Sequence, residues 1–283
     1  MRWIAGSPLA AHGGSPGNDD VRDDVTTPPI LDHKHPSAPS VFQPAALLRE
    51  ARRQKGLAAV DVPAICILDP DGDVVRRLRQ SGEAQGFPTW PCYHTGLDTF
   101  RLGTQTVGIV GFAVGAPFAV LIAEELFASG CRFLLSLTSA GQIVAAGEPP
   151  YFVIIDRALR DEGTSYHYAA PSEYSDADPD LVAMAAGAVE TRGLHAVVGA
   201  SWTTDAPFRE TAQAIDSARA RGVLAVEMEA AALYAFAAAA RADVLCLAHV
   251  TNTMGQTDQD FEKGEADGTA DALAVLAALV ALA

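Results

Sequence analysis

Short apolar runs alternate with helix-like stretches along most of this chain, and this alternation restricts the fold more than any other feature. The runs at 64–69, 106–115, 132–141 and 243–251 are mostly apolar, as strands buried on both faces of a sheet are. Helical patterns lie between them, and one of these ends at Gly130, a residue type that commonly terminates helices. This order of elements indicates an α/β domain with a largely buried sheet.

The alternation begins after about residue 40, and we expect two regions of different character. Residues 1–40 are rich in Gly, Pro, Ser, Asp and His, and we predict that they form a polar, flexible N-terminal arm. Residues 41–283 are expected to form a single domain, because 49% of the chain is hydrophobic and can fill a sizeable core. His33 and His35 lie in the arm, where two histidines more often bind nothing, so we expect no metal.

Charge and cysteine content restrict the partners. The formal net charge is −15, whereas a long nucleic acid requires a basic face, so we expect no nucleic-acid partner. The four cysteines show no CxxC spacing, which favours a reduced, cytoplasmic protein with neither a disulfide framework nor a zinc site. The sequence has no run of 18 apolar residues and no convincing signal peptide, so we expect no membrane partner.

Polar residues follow several of the predicted strands, at the positions where α/β folds bind ligands. Gly72 and Asp73 follow the first strand, and Arg76 lies on the next helical turn. Backbone N–H groups and a guanidinium there can hold an anion, although a turn before a solvated helix explains them equally well. Ser139 ends another strand, where its hydroxyl can contact a phosphate or cap a turn.

Two further stretches suggest a nucleoside. Tyr168 ends the segment RDEGTSYHY, whose aromatic residues can stack on a planar base or form a half-buried strand. Glu227 and Glu229 occupy the start of a helix predicted over 226–240, where acids oppose the macrodipole. Carboxylates also accept bonds from the paired hydroxyls of a ribose. Because residues two apart face different directions on a helix, we expect one of the two acids to be the main sugar ligand.

With these pieces in order, the chain resembles the nucleoside phosphorylase superfamily, of the purine nucleoside phosphorylase and uridine phosphorylase type. The resemblance extends from about Val41 to the C-terminus, and its most specific element is Val226-Glu227-Met228-Glu229-Ala230, which is similar to the ribose-binding signature of the family. The other matching elements are Gly72-Asp73 with Arg76, the stretch Gly111 to Gly115, Ser139-Ala140-Gly141, Glu162-Gly163-Thr164 and Thr204-Asp205.

The resemblance implies a three-layer α/β/α sandwich around a mixed, partly barrel-like central sheet. It implies a homo-oligomer, a dimer or a ring of dimers. The implied reaction is phosphorolytic cleavage of the N-glycosidic bond of uridine or a 6-oxopurine nucleoside to the base and ribose 1-phosphate. Inorganic phosphate would be the co-substrate, with no cofactor. Hydrolysis by water, as in the nucleosidases of the superfamily, and non-catalytic nucleoside binding remain alternatives.

The resemblance also implies roles for individual residues. The implied ribose ligands are Glu229, Met228, Glu227 and Gln43. The implied phosphate ligands are Gly72, Arg76 and Ser139. The implied base ligands are Tyr168, Arg209 and Asn252, and the implied catalytic residues are Asn252 and Asp205.

The sequence departs from the family pattern at three places. Ser136 stands where the phosphorylases commonly carry a phosphate-binding arginine, and 85–90 lacks the arginine that many members offer across a dimer. Asn252 stands where the nucleosidases usually carry an acidic residue. An amide cannot protonate a base, but it can pair with a carbonyl and an N–H. We therefore expect bases with a carbonyl group rather than adenine.

Overall fold

The computed structural model describes residues 27–253 and 268–282. Most of the predicted arm, residues 1–26, lies outside the described residues. Residues 27–40 form turns and bends and are largely exposed to solvent. Ordered helices and strands begin at Pro44, close to the position where the alternating pattern of the sequence begins.

Helices and strands alternate through the described part of the chain. The α-helices are α1 (Pro44–Lys55), α2 (Asp73–Ser81), α3 (Ala116–Phe127), α4 (Pro179–Thr191), α5 (Ala212–Ala220), α6 (Ala230–Ala240) and α7 (Thr269–Val280). The strands are β1 (Ile65–Asp69), β2 (Gln85–Gly86), β3 (Asp98–Leu102), β4 (Gln105–Gly111), β5 (Phe133–Gln142), β6 (Tyr151–Asp161), β7 (Tyr174–Asp176), β8 (Ala196–Thr204), β9 (Ala225–Glu227) and β10 (Asp243–Asn252).

Helix ends follow the capping chemistry of the sequence. Asp178 precedes α4, and its carboxylate accepts the backbone N–H groups of Asp180 and Leu181, which would otherwise lack a partner. Gly56 and Gly82 terminate α1 and α2 in the left-handed conformation that glycine adopts without steric cost. These local signals fix the start of α4 and the ends of α1 and α2.

The strands form one mixed sheet, part of which closes on itself. The strand order is β10-β6-β8-β9-β5-β1-β4-β3-β2, with β7 beside β6. Strand β5 also pairs with β10, so β5, β10, β6, β8 and β9 form a closed five-strand ring. The remaining strands extend from β5 through β1 as an open sheet. This arrangement confirms the predicted mixed, partly barrel-like sheet.

Helices cover the sheet on two sides and create separate hydrophobic cores. Buried side chains of α3 and α6 pack on one side, where Leu126 and Leu233 are fully buried. Helices α2, α4 and α7 pack on the other side, through residues such as Leu78, Val189 and Leu276. The three-layer α/β/α prediction is therefore confirmed.

The helix predicted over 226–240 begins later than the sequence pattern indicates. Residues Ala225–Glu227 form β9, which pairs with β5 on one side and β8 on the other, and α6 starts at Ala230. Glu227 is therefore a strand residue, and Glu229 occupies the position just before the helix. The sequence does not predict this strand, because three residues are too few to show a strand pattern. They become a strand only by pairing with β5 and β8 in the folded chain.

The four cysteines, Cys66, Cys92, Cys131 and Cys246, are buried as free thiols. All four belong to the core on the α3 and α6 side of the sheet. No helix within 27–253 or 268–282 is long and apolar enough to cross a membrane.

Candidate active site

The candidate site is an open cavity of about 450 Å³. It lies at the carboxyl ends of β5 and β10, which run parallel, and beside the loop after β1. Sheets of this kind bind ligands at these ends. The lining residues are Pro70, Asp71, Val114, Thr138, Ser139, Ala140, Gly141, Pro207, Phe208, Glu210, Val226, Glu227, Met228, Glu229, Thr251 and Asn252.

Glu229 presents an unpaired carboxylate oxygen in the wall of this cavity. Its side chain is held by the backbone N–H of Gly115, which donates to Oε1 over 2.7 Å. Oε2 is buried and accepts no hydrogen bond from residues 27–253 or 268–282. Burial raises the pKa of the Glu229 carboxyl, and the charge of Glu227 raises it further. Because buried polar atoms are normally paired, Oε2 is an acceptor that a ligand hydroxyl can satisfy.

Both oxygen atoms of the Glu227 carboxylate accept hydrogen bonds from the protein, and these bonds hold the start of α6. The hydroxyls of Ser201 and Thr203 donate to Oε1 over 3.0 and 2.5 Å. The backbone N–H groups of Glu229 and Ala230 donate to Oε2, each over 2.7 Å. Burial raises the pKa of the Glu227 carboxyl. Glu227 lines the cavity, and its bonds fix the position of Glu229. Its contact with ribose stays a prediction.

The carboxylate of Asp71 occupies the position at the Ser139 N–H, where the sequence predicts a bound anion. The backbone N–H of Ser139 donates to Asp71 Oδ2 over 2.7 Å, and both residues line the cavity. Ser139 is therefore located as predicted, but the negative group at its N–H is a side chain of the protein itself. Asp71 was not among the predicted site residues, although its place two positions after the buried strand β1 could have indicated it.

Gly72 and Arg76 do not line this cavity, and their role in binding phosphate stays a prediction. The Gly72 N–H donates to the carbonyl oxygen of Asp69 over 2.9 Å, in the left-handed conformation. Arg76 pairs with Asp73 and lies over the ring of Phe112, with 5.3 Å between its guanidinium carbon and the ring centroid. Phe112 packs so closely on Gly72 that a Cβ atom there would lie 2.1 Å from the ring.

Asn252 and the segment around Phe208 form another part of the cavity wall. Asn252 ends β10 and lines the cavity, as predicted for a base ligand. Phe208 also lines it and is 99% exposed, so the cavity is bordered by an aromatic ring with little packing of its own. Burial raises the pKa of Glu210, a third lining residue. Phe208 and Glu210 were not among the predicted site residues, because the short 3₁₀ turn Pro207–Arg209 and the residue after it show no sequence periodicity.

Tyr168 does not line the cavity, and its role as a base ligand stays a prediction. Its hydroxyl donates to Oε1 of Glu124 over 2.6 Å. Its ring packs edge-on against Phe236, with 5.9 Å between centroids, in the core beneath α3 and α6. The segment forms a short 3₁₀ turn over Ser165–His167, which directs Tyr168 towards that core instead of the strand ends.

Asp205 and Arg209 are also absent from the cavity lining. Oδ2 of Asp205 accepts the backbone N–H of Gly163 over 2.8 Å, so this carboxylate joins two loops of the protein. Arg209 ends a short 3₁₀ turn, Pro207–Arg209, and only other residues of that segment reach the cavity. In this chain, Glu210 is the acidic side chain of the segment that lines the cavity.

The two other predicted ribose ligands lie in different places. Met228 lines the cavity, between the two glutamates in sequence. Gln43 precedes α1, and its side-chain amide donates to the carbonyl oxygen of Ser40 outside the cavity. The adjacent Val41 and Phe42 are 103% and 69% exposed. Gln43 therefore takes no part in the cavity of its own chain.

The ionisable side chains in the described lining of the cavity are all acidic. Asp71, Glu210, Glu227 and Glu229 line it, whereas no lysine, arginine or histidine of residues 27–253 and 268–282 does so. The same described residues contain no group of acids, histidines and cysteines arranged to hold a metal ion. The oxygen atoms of these side chains can accept hydrogen bonds from the hydroxyl groups of a ligand.

A model of the Phosphorylase superfamily matches residues 64–281, and the chain belongs to this superfamily. A guanosine phosphorylase of Halorubrum lacusprofundi is 30% identical over 129 residues, which are 46% of this chain and 54% of the relative. A uridine phosphorylase of Thermococcus kodakarensis is 25% identical over 186 residues, covering 60% of this chain and 67% of the relative. The matched region thus spans little more than half the length of the guanosine phosphorylase.

Solved structures share the fold over most of the chain. A uridine phosphorylase from Vibrio fischeri ES114 superposes with a TM-score of 0.66 at 21% identity, covering 78% of this chain and 93% of that one. A purine nucleoside phosphorylase from Toxoplasma gondii, in complex with immucillin-H, gives a TM-score of 0.67 at 16% identity and covers 78% and 92%. These similarities establish the fold.

Proposed function

We propose that this protein cleaves the N-glycosidic bond of a nucleoside and releases the free base. The observation that carries this proposal is the unpaired, buried Oε2 of Glu229 in the cavity wall. A ribose presents two adjacent hydroxyl donors, and a carboxylate accepts them with charge-assisted bonds. Membership in the Phosphorylase superfamily supports this class of reaction.

The acidic lining suits the chemistry of this cleavage. As the bond to the base breaks, the sugar gains the character of an oxocarbenium cation. An ionised carboxylate fixed beside the sugar stabilises that charge in the transition state more than in the ground state, which lowers the barrier. Burial raises the pKa of Glu229 to about 8, so this stabilisation is strongest above that pH. Glu229 binds the sugar hydroxyls in this mechanism, and Glu227 holds the start of α6 in place.

Asn252 and Phe208 are the proposed base ligands. The Asn252 amide can both donate to a carbonyl and accept from an N–H, an edge that uracil, hypoxanthine and guanine present. The exposed ring of Phe208 offers a surface on which a base can stack. Glu210, whose pKa is raised by burial, retains its proton to a higher pH than an exposed glutamate and can donate it to the leaving base.

Inorganic phosphate is the nucleophile that the names of the relatives support. Guanosine phosphorylase and uridine phosphorylase are among them, and this reaction would yield ribose 1-phosphate without a cofactor. Phosphate would lie at the Ser139 N–H. Water is the second candidate, and the bond between that N–H and Asp71 specifically favours it.

Product analysis tests the proposed function. The purified protein is incubated with uridine, inosine, guanosine and adenosine, each with and without inorganic phosphate, and free bases are separated by chromatography. We expect release of base from at least one of the first three, faster than from adenosine, and a strongly reduced rate in Glu229→Gln. Absence of any free base from all four nucleosides would rule the function out.

A further inference from the structure

Two buried carboxyl groups, Glu227 and Glu229, lie close together in the cavity wall and differ in the donors that they face. The residues are 3% and 1% exposed. Four donors of the protein bond to the two oxygen atoms of Glu227. In Glu229, Oε1 accepts the N–H of Gly115, while Oε2 accepts no hydrogen bond from the described part of the chain. Because donors stabilise the ionised form of an acid, Glu227 is the member of the pair that keeps its charge.

The groups around Glu229 favour its neutral form. Burial is the main cause that raises the pKa of Glu229 to about 8, and the charges of Glu227 and Asp71 contribute to the increase. The N–H of Gly115 acts in the opposite direction. Other polar groups that face the pair are those of Thr138 on β5, Tyr234 on α6 and Cys246 on β10. Burial raises the pKa of the last two, so both remain uncharged.

We propose that the free site holds one proton on Oε2 of Glu229, and that a nucleoside releases this proton when its ribose binds. The inference rests on the proposed function, because it requires a nucleoside in the cavity. A buried Oε2 without a donor from the described residues has room for a hydrogen atom of its own. The two adjacent hydroxyls of a ribose are donors, and they favour the ionised carboxylate in place of the neutral acid.

Glu227 acts in this exchange as a positioning residue. Its bonds to the N–H groups of Glu229 and Ala230 hold the start of α6. The hydroxyls of Ser201 and Thr203 stabilise its charge, and that charge keeps the proton on Glu229 until the ligand arrives. The step balances: the protein with a neutral Glu229 and one nucleoside give the complex with an ionised Glu229 and one proton, which passes to the buffer.

The exchange gives the affinity a pH dependence of definite sign. Below the pKa of about 8, a nucleoside binds only with loss of the proton, and a lower pH opposes that loss. The Kd should therefore fall roughly tenfold per unit of pH between about pH 6 and 7.5, where the bound hydroxyls keep the carboxylate ionised. The Kd should become constant above the pKa of the free site.

Calorimetry with pseudouridine and formycin B tests the inference. In these C-nucleosides the base is joined to the ribose through carbon, so binding is measured without cleavage of an N-glycosidic bond. Titrations at neutral pH in phosphate-free buffers of different ionisation enthalpy give the number of protons released. Infrared difference spectra provide a second readout, because a neutral carboxyl group has a C=O stretch that an ionised one lacks.

Three variants assign the proton. Glu229→Gln removes the proposed proton site, and Glu227→Gln removes the neighbouring charge. Glu125→Gln is the matched control, since Glu125 is another acid, 2% exposed on α3, whose pKa is raised by burial and which does not line the cavity. Pseudouridine, formycin B, uridine and inosine are titrated into each variant and into the unmodified protein.

We expect the unmodified protein and Glu125→Gln to release close to one proton and to lose the neutral C=O stretch on binding. Glu229→Gln should release none, and its Kd should not vary with pH. In Glu227→Gln the pH-dependent fall of Kd should shift to lower pH, because the charge that holds the proton on Glu229 is gone. A purely structural role of Glu227 would not move this profile.

Other outcomes overturn the inference. Binding without proton release, with a Kd that is independent of pH, removes it and leaves the proposed function intact. Release that persists in Glu229→Gln assigns the proton to another acid of the cavity, such as Glu210, and also removes it. If Glu229→Gln does not fold, the C=O stretch of the unmodified protein decides. Failure of all four nucleosides to bind removes the inference and the proposed function together.

Discussion

The hydroxyl of Thr203 lies between Glu227 and the first turn of α6. It donates to Oε1 of Glu227 over 2.5 Å and accepts the backbone N–H of Ala231 over 2.9 Å. Both bonds are buried. One hydroxyl therefore connects β8, β9 and the start of the helix that follows Glu229.

We expect Thr203→Val to destabilise the protein by about 1–3 kcal/mol, because it leaves the buried N–H of Ala231 without its partner. Thr106→Val is a suitable control, since Thr106 is an exposed strand residue whose replacement should change stability by no more than about 0.5 kcal/mol. Urea unfolding measures both. Equal midpoints for the two variants would contradict this role of Thr203.

The proposed sugar contact predicts a loss of affinity in Glu229→Gln. Glutamine keeps an acceptor for the Gly115 N–H but cannot ionise, whereas the Glu229 carboxyl, whose pKa burial raises to about 8, is charged above that pH and then strengthens bonds from two hydroxyls. We expect about 1.5–3 kcal/mol weaker binding, roughly 10- to 150-fold in Kd, measured by calorimetry with uridine or inosine. Glu173→Gln, at an exposed glutamate paired with Arg221, should bind normally. Unchanged affinity in Glu229→Gln would exclude this contact.

Phe208→Ala should weaken binding of the nucleoside without changing the stability of the protein. Because the side chain is 99% exposed, its removal should leave thermal stability unchanged. Stacking of a base on an aromatic ring contributes about 1–3 kcal/mol, so KM should rise by a corresponding factor of roughly 5 to 150. Val60→Ala, at another exposed apolar residue, controls for surface effects. A KM equal to that of the unmodified protein would show that the base does not contact this ring.

Asp69 should make the stability of the protein depend on pH. Burial raises its pKa from 3.8 to about 7, and the charges of Asp71 and Asp73 contribute to the increase. Between these values the unfolded chain has released the proton and the folded chain has kept it, so the free energy of unfolding falls as the pH rises.

We expect Asp69→Asn to flatten this dependence, measured by urea unfolding at several pH values between about 4 and 7. Asp180→Asn, at an exposed aspartate, should keep the slope of the unmodified protein. An unaltered slope in Asp69→Asn would show that Asp69 does not carry the effect.

The exposed pair Val41 and Phe42 predicts self-association. Both side chains project into solvent from the segment before α1, at 103% and 69% exposure. We expect light scattering to give at least a dimer, and the double substitution Val41→Asp and Phe42→Asp to shift the population towards the monomer, since it places charges in an apolar contact. A constant monomer mass at all concentrations would contradict the expectation.

The central fold could be predicted from the sequence because its strands are continuous apolar runs. Strands β1, β5 and β10 are nearly uniformly buried, and their lengths and flanking turns distinguish them from helices. The two-residue β2 and the three-residue β7 carry no comparable pattern. Their backbones become strands through pairing with β3 and β6, which is a property of the assembled sheet.

The candidate site likewise contains residues that the sequence predicts and residues that it does not. The positions of Ser139 and Asn252 in the cavity wall could be predicted because both residues end long strands. The direction of the Arg76 side chain, which turns to Asp73, could not be predicted, because a sequence gives only its position on the helix. Phe208 was missed because it lies in an irregular segment, where only the folded chain brings it to the cavity.

The distribution of the cysteines makes the two hydrophobic layers distinguishable by chemistry. All four thiols lie in the layer formed with α3 and α6, and the layer formed with α2, α4 and α7 contains none. A thiol-specific alkylating reagent can therefore enter only when the first layer opens, and loosening of the second alone leaves every sulfur protected. The number of labelled thiols per molecule at a given time therefore measures how often the layer formed with α3 and α6 opens.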